Sequence, residues 1–264
     1  MNKIKTVAII ITMLFLCTNA YADAPSADEI LKKVAATYKS MKTYKVKGDR
    51  HEFYNEKNKI PFTILFKEPN MYLISWSRKR MPPEKNKDYV SWSDGTQPYL
   101  YFSFVKVLNK MPSDEITLKQ CSKTEGPTKM VPLLLSIFKG NEDPFAWLKD
   151  LKVEKSEKTG GEDCYVISGT SELTKREVMW VSKTSYLIRK YYWEFDRLKV
   201  IMHSTTFSNE VKKRMIEEYE KGILHDLFPE VEEYTEITSP ELSKDDFNYA
   251  VPENATRSDW PVNY

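Results

Sequence analysis

Three histidines are the residues best suited to acid–base or zinc chemistry, but their spacing supports neither. His51, His203 and His225 stand far apart, and none lies near another histidine or a cysteine at a metal-ligand spacing. The sequence has no Gly-x-Ser-x-Gly motif, no phosphate-binding loop and no Gly-x-Gly-x-x-Gly motif. We therefore expect no catalytic residues, no metal and no cofactor. A triad can assemble from distant residues, so a secreted hydrolase stays as an alternative.

An acidic cluster follows the third histidine, and it comprises Asp226, Glu230, Glu232 and Glu233. Carboxylates beside a histidine can serve acid–base chemistry. Such a cluster is more often a solvated face, because burying unpaired charges is costly. We interpret this one as a solvated face of the protein.

Aromatic residues are the most prominent chemical feature of the chain. There are 12 Phe, 16 Tyr and 6 Trp, and many of them stand on strand-like segments. Large rigid rings on a concave sheet bury acyl chains or other apolar ligands well, because they cover a large area at low entropic cost. The same rings also form ordinary cores, so composition alone does not separate the two.

The first 22 residues have the layout of a secretory signal peptide. Lys3 and Lys5 give a positive start, 7–16 is a nearly unbroken apolar run, and Ala20-Tyr21-Ala22 supplies small residues for a signal peptidase. The apolar run is too short to span a bilayer comfortably. We predict cleavage after Ala22 and a periplasmic mature protein.

Two other interpretations of this segment stay open. Cys17 could be the lipidated residue of a lipoprotein, but Leu16 precedes it where a small side chain is required. The segment could also be an uncleaved anchor. No later stretch approaches the length of a membrane span, so we predict no integral span in the mature chain.

The charge pattern argues against nucleic acid as a partner. The formal net charge is +2, and removal of Lys3 and Lys5 leaves the mature chain neutral. Charged residues make up 30% of the chain, yet their signs are interleaved, so no basic stripe could follow a phosphate backbone.

Cys121 and Cys164 are an even pair once Cys17 has left with the signal peptide. In an oxidising compartment they could form a disulfide, which would stabilise the fold by about 3–4 kcal/mol in the chain-entropy model. Two buried thiols are the alternative, because the sequence does not provide the Cα separation that a bridge requires.

An amphipathic helix opens the mature chain. Ser26 can cap it, Glu29 completes a capping box, and apolar residues recur at helical spacing up to Met41. From Thr43 the apolar period changes to two, and strands predominate to about residue 105. Short polar turns join these strands, which predicts antiparallel neighbours.

The middle of the chain predicts helices. Val131–Phe138 is its most apolar stretch, and Asp143-Pro144 predicts the start of a short helix that carries Phe145, Trp147 and Leu148. A core helix and a helical lid over the hollow of a sheet have the same pattern. Both interpretations stay open.

Strands resume near residue 151, and an amphipathic helix at 208–228 interrupts them. This helix can pack on the sheet, bind a partner or lie on a membrane, although its mixed charges do not favour anionic lipid. No linker divides residues 23–264, which we predict to form one domain. The predicted strands are 164–169, 177–181, 187–194, 198–207 and 231–237.

Several short motifs, in this order, are similar to those of one family. They are the opening helix, Leu65-Phe66-Lys67-Glu68-Pro69-Asn70-Met71-Tyr72, Ser93-Asp94-Gly95-Thr96, Gly161-Glu162-Asp163-Cys164-Tyr165 and the ending at 246–252. The chain resembles the LolA-like family of periplasmic outer-membrane lipoprotein-sorting proteins, especially its longer relatives. The resemblance implies an α+β fold, mainly antiparallel: an unclosed half β-barrel with an N-terminal helix and a central helical lid filling the concave face.

Two departures from the family concern its mechanism. In the sorting carrier the cavity receives lipoprotein acyl chains, and an arginine before the Pro-Asn step helps to hold the lid shut. Glu68 stands at that position here, and the helix at 208–228 is an insertion. Both departures put the carrier's opening mechanism, and lipoprotein sorting itself, in doubt for this chain.

We predict a periplasmic binding or carrier protein that holds a lipid, or the acyl chains of a lipoprotein, in an apolar cavity. The first alternative is a regulatory module that binds an envelope protein partner, and the second is the hydrolase. The residues predicted to line the cavity are Phe62, Ile64, Phe66, Tyr72, Ile74, Trp76, Trp92, Leu134 and Phe138.

Overall fold

The computed structural model describes residues 25–52, 58–78, 87–204, 207–226 and 229–260. The predicted signal peptide and its cleavage site lie outside these residues. Within them, no helix is long and apolar enough to cross a membrane.

The described residues form five α-helices and thirteen strands. The helices are α1 (Ala27–Met41), α2 (Asp114–Lys123), α3 (Met130–Phe138), α4 (Arg197–His203) and α5 (Asn209–Glu220). The strands are β1 (Thr43–Glu52), β2 (Ile60–Lys67), β3 (Met71–Arg78), β4 (Lys87–Asp94), β5 (Pro98–Phe102), β6 (Val107–Lys110), β7 (Lys149–Val153), β8 (Glu157–Thr159), β9 (Glu162–Thr170), β10 (Thr174–Ser182), β11 (Ile188–Phe195), β12 (Glu230–Thr238) and β13 (Thr256–Asp259).

All thirteen strands belong to one sheet. Its order is β13-β6-β5-β4-β3-β2-β1-β12-β11-β10-β9-β7, with β8 paired to β9. The β13–β6 pair is parallel, and the other pairs are antiparallel. In the described part of the chain β13 and β7 end the sheet without pairing to each other. The predicted fold class, an unclosed and mainly antiparallel sheet with helices, is confirmed.

Strand β1 joins the two halves of the sheet, because it pairs with β2 on one side and with β12 on the other. Its register with β12 shifts between Lys47 and Gly48. A Cβ at Gly48 would overlap the carbonyl oxygen of Glu233 and lie 2.5 Å from the Phe62 ring. Only glycine fits where the two backbones approach this closely.

Helix α1 begins and ends as predicted. The Ser26 side chain accepts a hydrogen bond from the Glu29 N–H at 3.3 Å, and the Glu29 carboxylate accepts one from the Ser26 N–H at 2.8 Å. Its apolar side is buried, and the Tyr38 hydroxyl accepts a hydrogen bond from the Ile188 N–H at 3.0 Å. The helix is thereby fixed to β11.

The segment after α3 is a single turn, so the predicted short helix at Asp143 is wrong. The Asp143 carboxylate accepts a hydrogen bond from the Phe145 N–H at 2.9 Å. The chain then enters β7 at Lys149, which leaves no room for a second helical turn. Phe145 and Leu148 are nevertheless buried.

The predicted strand at 198–207 is also wrong, because α4 occupies most of it. The Asp196 side chain caps α4 by accepting a hydrogen bond from the Lys199 N–H at 3.2 Å. Helix α2 was not predicted, although Ser113 caps it in the same way. These helices have seven and ten residues, which is too short for a clear apolar period.

The helix predicted at 208–228 is confirmed as α5, but it ends at Glu220. Ser208 caps it by accepting a hydrogen bond from the Val211 N–H at 3.3 Å. None of its residues is buried, and its main neighbour is α4. The helix therefore lies on the surface without forming part of the core.

Candidate functional site

The inner face of the sheet, which the helices cover, brings together six of the predicted cavity residues. Three cross-strand pairs between β2 and β3 form successive rungs on this face, and all six side chains are buried. The rungs are Phe62 with Trp76, Ile64 with Ile74, and Phe66 with Tyr72. Large apolar side chains thus cover a continuous surface.

Trp92 lies on the other face, so the prediction that it joins the inner-face residues is wrong. It pairs with Leu73, while Ser91 lies opposite Ile74. Because side chains alternate along a strand, β4 presents serines to the inner face and Trp92 to the outer one. There Trp92 packs with Tyr101 beneath the C-terminal tail, and the Tyr249 ring lies 5.5 Å from it.

Over β2–β5 the inner face is covered by one continuous segment, residues 114–138, which we call the lid, whereas α1 covers the face at β1 and β11. It consists of α2, α3 and the lid loop 124–129 between them. Leu134 is buried against the sheet, and the Phe138 ring stacks on Phe66 with ring centroids 5.4 Å apart. The space under the lid is filled by the protein's own side chains in this state.

Two clefts border this arrangement. The lid cleft, of about 470 Å³, opens between α2 and α3, and Leu118, Leu135, Lys119, Lys139 and Thr128 are among its lining residues. A second cleft of about 520 Å³ lies between α1 and residues 142–151. Both volumes lie in the range of about 300–1,000 Å³ that is typical of small-molecule sites.

The sheet holds the lid loop through its backbone. The indole Nε1 of Trp76 donates a hydrogen bond to the carbonyl oxygen of Thr124 at 3.0 Å. The Arg50 guanidinium donates to the carbonyl oxygen of Gly126. These two contacts come from strands β3 and β1, respectively.

The second half of the lid loop is held by carboxylates. The N–H of Thr128 donates a hydrogen bond to the Glu232 carboxylate at 2.6 Å, and the Lys129 ammonium lies 3.1 Å from the Glu177 carboxylate. Glu232 and Glu177 come from β12 and β10. Four strands therefore hold one six-residue loop.

The interpretation of the acidic cluster as a solvated face is wrong for two of its members. Glu232 is fully buried, and Glu230 forms an ion pair with the buried Arg50. Burial raises the pKa of Glu230, against the opposing effect of the Arg50 charge. Glu230 and Glu232 are thus structural parts of the lid attachment, Glu232 directly and Glu230 through Arg50.

Two tyrosines satisfy the buried carboxylates. The Tyr234 hydroxyl donates to Glu232 at 2.7 Å, and the Tyr191 hydroxyl donates to Glu177 at 2.5 Å. Burial raises the pKa of both tyrosines well above the usual value, and the neighbouring carboxylates raise it further. Both hydroxyls therefore stay protonated and remain donors at neutral pH.

Three aromatic rings surround the Lys129 ammonium. Its Nζ lies 4.8 Å from the ring centroids of Tyr191 and Trp193 and 5.2 Å from that of Trp147. Together with Glu177, these rings form what we call the ammonium cage. Distances below about 6 Å are those of favourable cation–π contacts.

No motif in the sequence points to Arg50, Lys129 or Glu177, and Glu232 was expected on a solvated face. Strand alternation could have placed Arg50 on the same face as Val46, because both occupy even positions of β1. The pairing of that face with the lid loop depends on contacts between segments far apart in the chain.

Two of the histidines contact carboxylates outside the lid. His51 Nε2 is 3.9 Å from Glu233, and His203 Nε2 is 3.2 Å from Glu172. Neither ring lines the lid cleft or the second cleft. No group of three potential metal ligands occurs among the described residues. The geometry therefore adds no support to the hydrolase alternative.

Cys121 and Cys164 are both buried free thiols, so the possible disulfide is not formed. Cys121 belongs to α2, which contacts β4 and β5, whereas Cys164 lies in β9. Seven inter-strand steps separate β4 from β9 in the sheet. The two cysteines therefore belong to distant positions along the sheet, and each is a free thiol.

The fold and the site together define an open, mainly antiparallel sheet whose apolar inner face is covered by a helical lid and α1. No model of a protein family matches the chain, and no curated protein matches it. Similarity is found among solved structures.

These structures include an uncharacterized conserved protein from Thermus thermophilus, with a TM-score of 0.48, 9% identity, and coverage of 88% of this chain and 98% of that one. A putative outer membrane lipoprotein-sorting protein domain from Vibrio parahaemolyticus has a TM-score of 0.38, 13% identity, and coverage of 83% and 95%. A LolA superfamily protein from Nitrosomonas europaea has a TM-score of 0.34, 12% identity, and coverage of 86% and 99%. A lipoprotein-sorting protein domain and a LolA superfamily protein are thus among the structures to which this chain is similar.

Proposed function

We propose that the protein is a periplasmic lipid-binding or carrier protein. It holds the acyl chain of a lipid or lipoprotein between the lid and the inner face, and it performs no covalent chemistry. The observation that carries the proposal is the lid: one segment, residues 114–138, covers an apolar sheet face, and a cleft opens between its two helices. In this proposal residues 1–22 are a signal peptide, removed after Ala22.

Burial of a chain provides enough free energy for binding. Transfer of a 16-carbon chain out of water is worth about 0.8 kcal/mol per methylene, or about 12 kcal/mol before the costs of association. A chain that enters under the lid replaces one set of apolar contacts by another. The main cost of opening is therefore the loss of the polar contacts at the lid loop.

The proposed lining combines the sheet face with the lid. Both helices of the lid would move away from the sheet to admit the chain. The residues proposed to contact it are Phe62, Ile64, Phe66, Tyr72, Ile74 and Trp76 from the sheet, with Leu134 and Phe138 from α3.

Native mass spectrometry of the exported protein, followed by organic extraction, tests the proposal. We expect a co-purifying lipid mass, or uptake of added fatty acid or lipopeptide. A clean apo mass without any uptake would contradict the proposal. The mass of the polypeptide after the lipid has been removed also identifies its first residue, which we expect to be Asp23 after cleavage at Ala22.

A pair of variants tests the route of entry. Leu118→Trp places an indole in the lid cleft, whereas Leu148→Trp fills the second cleft with the same side chain. We expect Leu118→Trp to weaken binding of a fluorescent fatty acid at least tenfold, because the indole obstructs the lid cleft. Leu148→Trp should change it less than threefold. Equal effects of the two variants would argue against entry between α2 and α3.

A second candidate function is the binding of an envelope protein partner. The observation that favours it is the hairpin of α4 and α5, whose Met202 is 54% exposed and followed by the exposed Phe207 and Ile223. This function can coexist with lipid binding, because the hairpin and the lid belong to different parts of the chain.

A further inference from the structure

The ammonium cage has the chemistry of a site for an organic ammonium ion. Glu177 accepts hydrogen bonds on both of its oxygens, from Lys129 and Tyr191 on one and from Thr174 on the other. Tyr191 and Trp193 are buried. Trp147 is 41% exposed, so one wall of the cage faces solvent.

The occupant of the cage belongs to the lid. Lys129 is the N-cap residue of α3, and its neighbour Thr128 lines the lid cleft. Movement of the lid away from the sheet withdraws the Lys129 ammonium from the three rings and from Glu177. The cage and the proposed path of the acyl chain are thus adjacent.

Opening the lid without a replacement cation in the ammonium cage would cost free energy. The Trp193 ring contacts two cations, with the Arg50 guanidinium 5.5 Å and the Lys129 ammonium 4.8 Å from its centroid. Without Lys129, the buried Glu177 carboxylate would lose the ion pair that it makes in the described part of the chain and would keep the hydrogen bonds from Tyr191 and Thr174. Removing one partner of a buried ion pair leaves an uncompensated charge, which strongly disfavours the opened state. A replacement cation removes this penalty.

We propose that the ammonium cage binds the ammonium group of a lipid headgroup, which displaces Lys129 as the lid opens. This inference rests on the proposed lipid-binding function and adds a ligand class to it: a lipid with a cationic headgroup nitrogen. The headgroup occupies the cage while the chain lies between the lid and the inner face. An anionic lipid of equal chain length lacks the group that compensates Glu177.

Two lysolipids with the same chain test the headgroup. We expect lysophosphatidylethanolamine to bind the full-length or mature protein about tenfold more tightly than lysophosphatidylglycerol. A tenfold difference in affinity corresponds to the free energy of a partly desolvated cation–π and ion-pair contact. Free ethanolamine, which has the ammonium but no chain, should bind at least a hundredfold more weakly than the lysolipid. Equally tight binding of ethanolamine would overturn the assignment to a lipid.

A matched pair of tryptophan variants tests the cage. Trp147→Leu removes its exposed wall, and Trp180→Leu removes a tryptophan that Lys190 contacts at the same 5.2 Å, elsewhere in the sheet. We expect Trp147→Leu to reduce the preference between the two lysolipids to less than threefold. Trp180→Leu should retain the tenfold preference. The ratio of the two affinities is independent of the total amount of folded protein.

Lys129→Ala removes the competing occupant, so the preference for lysophosphatidylethanolamine should rise above the wild-type ratio. Lys129→Arg should restore a ratio near that of the wild type. Equal affinity for both lysolipids in the wild type and in Lys129→Ala would overturn this inference and leave the proposed function intact. Absence of binding of either lysolipid would overturn both.

Discussion

At the scale of single residues, the closed lid depends on a position without a side chain. The backbone of Gly126 contacts the Trp76 indole, and a Cβ at position 126 would be 2.8 Å from the ring. The same loop accepts hydrogen bonds from Trp76 and Arg50 at the carbonyl oxygens of Thr124 and Gly126. Any side chain at position 126 must push the loop from the sheet and weaken both contacts.

We predict that Gly126→Ala opens the lid. The cost of such overpacking is typically about 1–3 kcal/mol. Cys121 reports the opening, because it is fully buried on α2 and burial raises the pKa of its thiol to about 12. Alkylation of native Cys121, measured by mass spectrometry of its peptide, should become at least tenfold faster.

Gly140→Ala is the control for this variant. Gly140 follows α3, a Cβ there would meet nothing within 4 Å, and its φ of +80° makes alanine strained. It therefore costs stability, typically about 1 kcal/mol, without a clash against the sheet. A rise in Cys121 alkylation of the same size in both variants would argue against a specific role of the Gly126–Trp76 contact.

At the scale of secondary-structure elements, the hairpin of α4 and α5 is separable from the lid. Its end is held by surface contacts, among them the Lys175–Asp226 ion pair at 2.9 Å. Exposed ion pairs contribute little to stability. Because no residue of α5 is buried, the core does not depend on this helix.

We predict that replacement of residues 208–228 by a short Gly-Ser linker leaves the fold and lipid uptake intact. The midpoint of thermal unfolding should fall by no more than about 2–4 °C, the shift that about 1 kcal/mol produces in a domain of this size. Capture of an envelope protein partner should be lost. Loss of lipid uptake in a folded variant would place the helix in the lipid-binding machinery instead.

Strand register is also decided at this scale. Large apolar residues occupy every second position of β2 and β3, from Phe62 to Phe66 and from Tyr72 to Trp76. This period of two predicts that they share one face, and they do share the inner face. Trp92 does not share that face. In the register of β4 with β3, Ser91 lies opposite Ile74 and faces inward, so Trp92 faces outward. A shift of one residue reverses the face of every side chain in a strand.

At the scale of the whole molecule, the sheet decides which distant residues meet. The strand order brings β1, β12, β11 and β10 side by side. Arg50, Glu232, Trp193 and Glu177 thereby lie beneath one lid loop. The same order separates Cys121 from Cys164.

We predict that both thiols remain reduced in the exported protein. Alkylation in denaturant without reductant should label Cys121 and Cys164 in every molecule, because both are free thiols and seven inter-strand steps separate β9, which carries Cys164, from β4 beneath α2. Alkylation under native conditions should label neither, since both side chains are buried. A peptide pair linked through the two cysteines would contradict the sheet order described above.

The sequence by itself determined the local features. The Ser26–Glu29 capping box, the apolar alternation of β2 and β3 and the apolar stretch of α3 follow from neighbouring residues. Only the tertiary structure decided that Trp92 faces outward, that Glu232 is buried and that Lys129 enters the ammonium cage. Each of these depends on the pairing of segments far apart in the chain. The free energy of burying a charge depends on partners that no local pattern specifies.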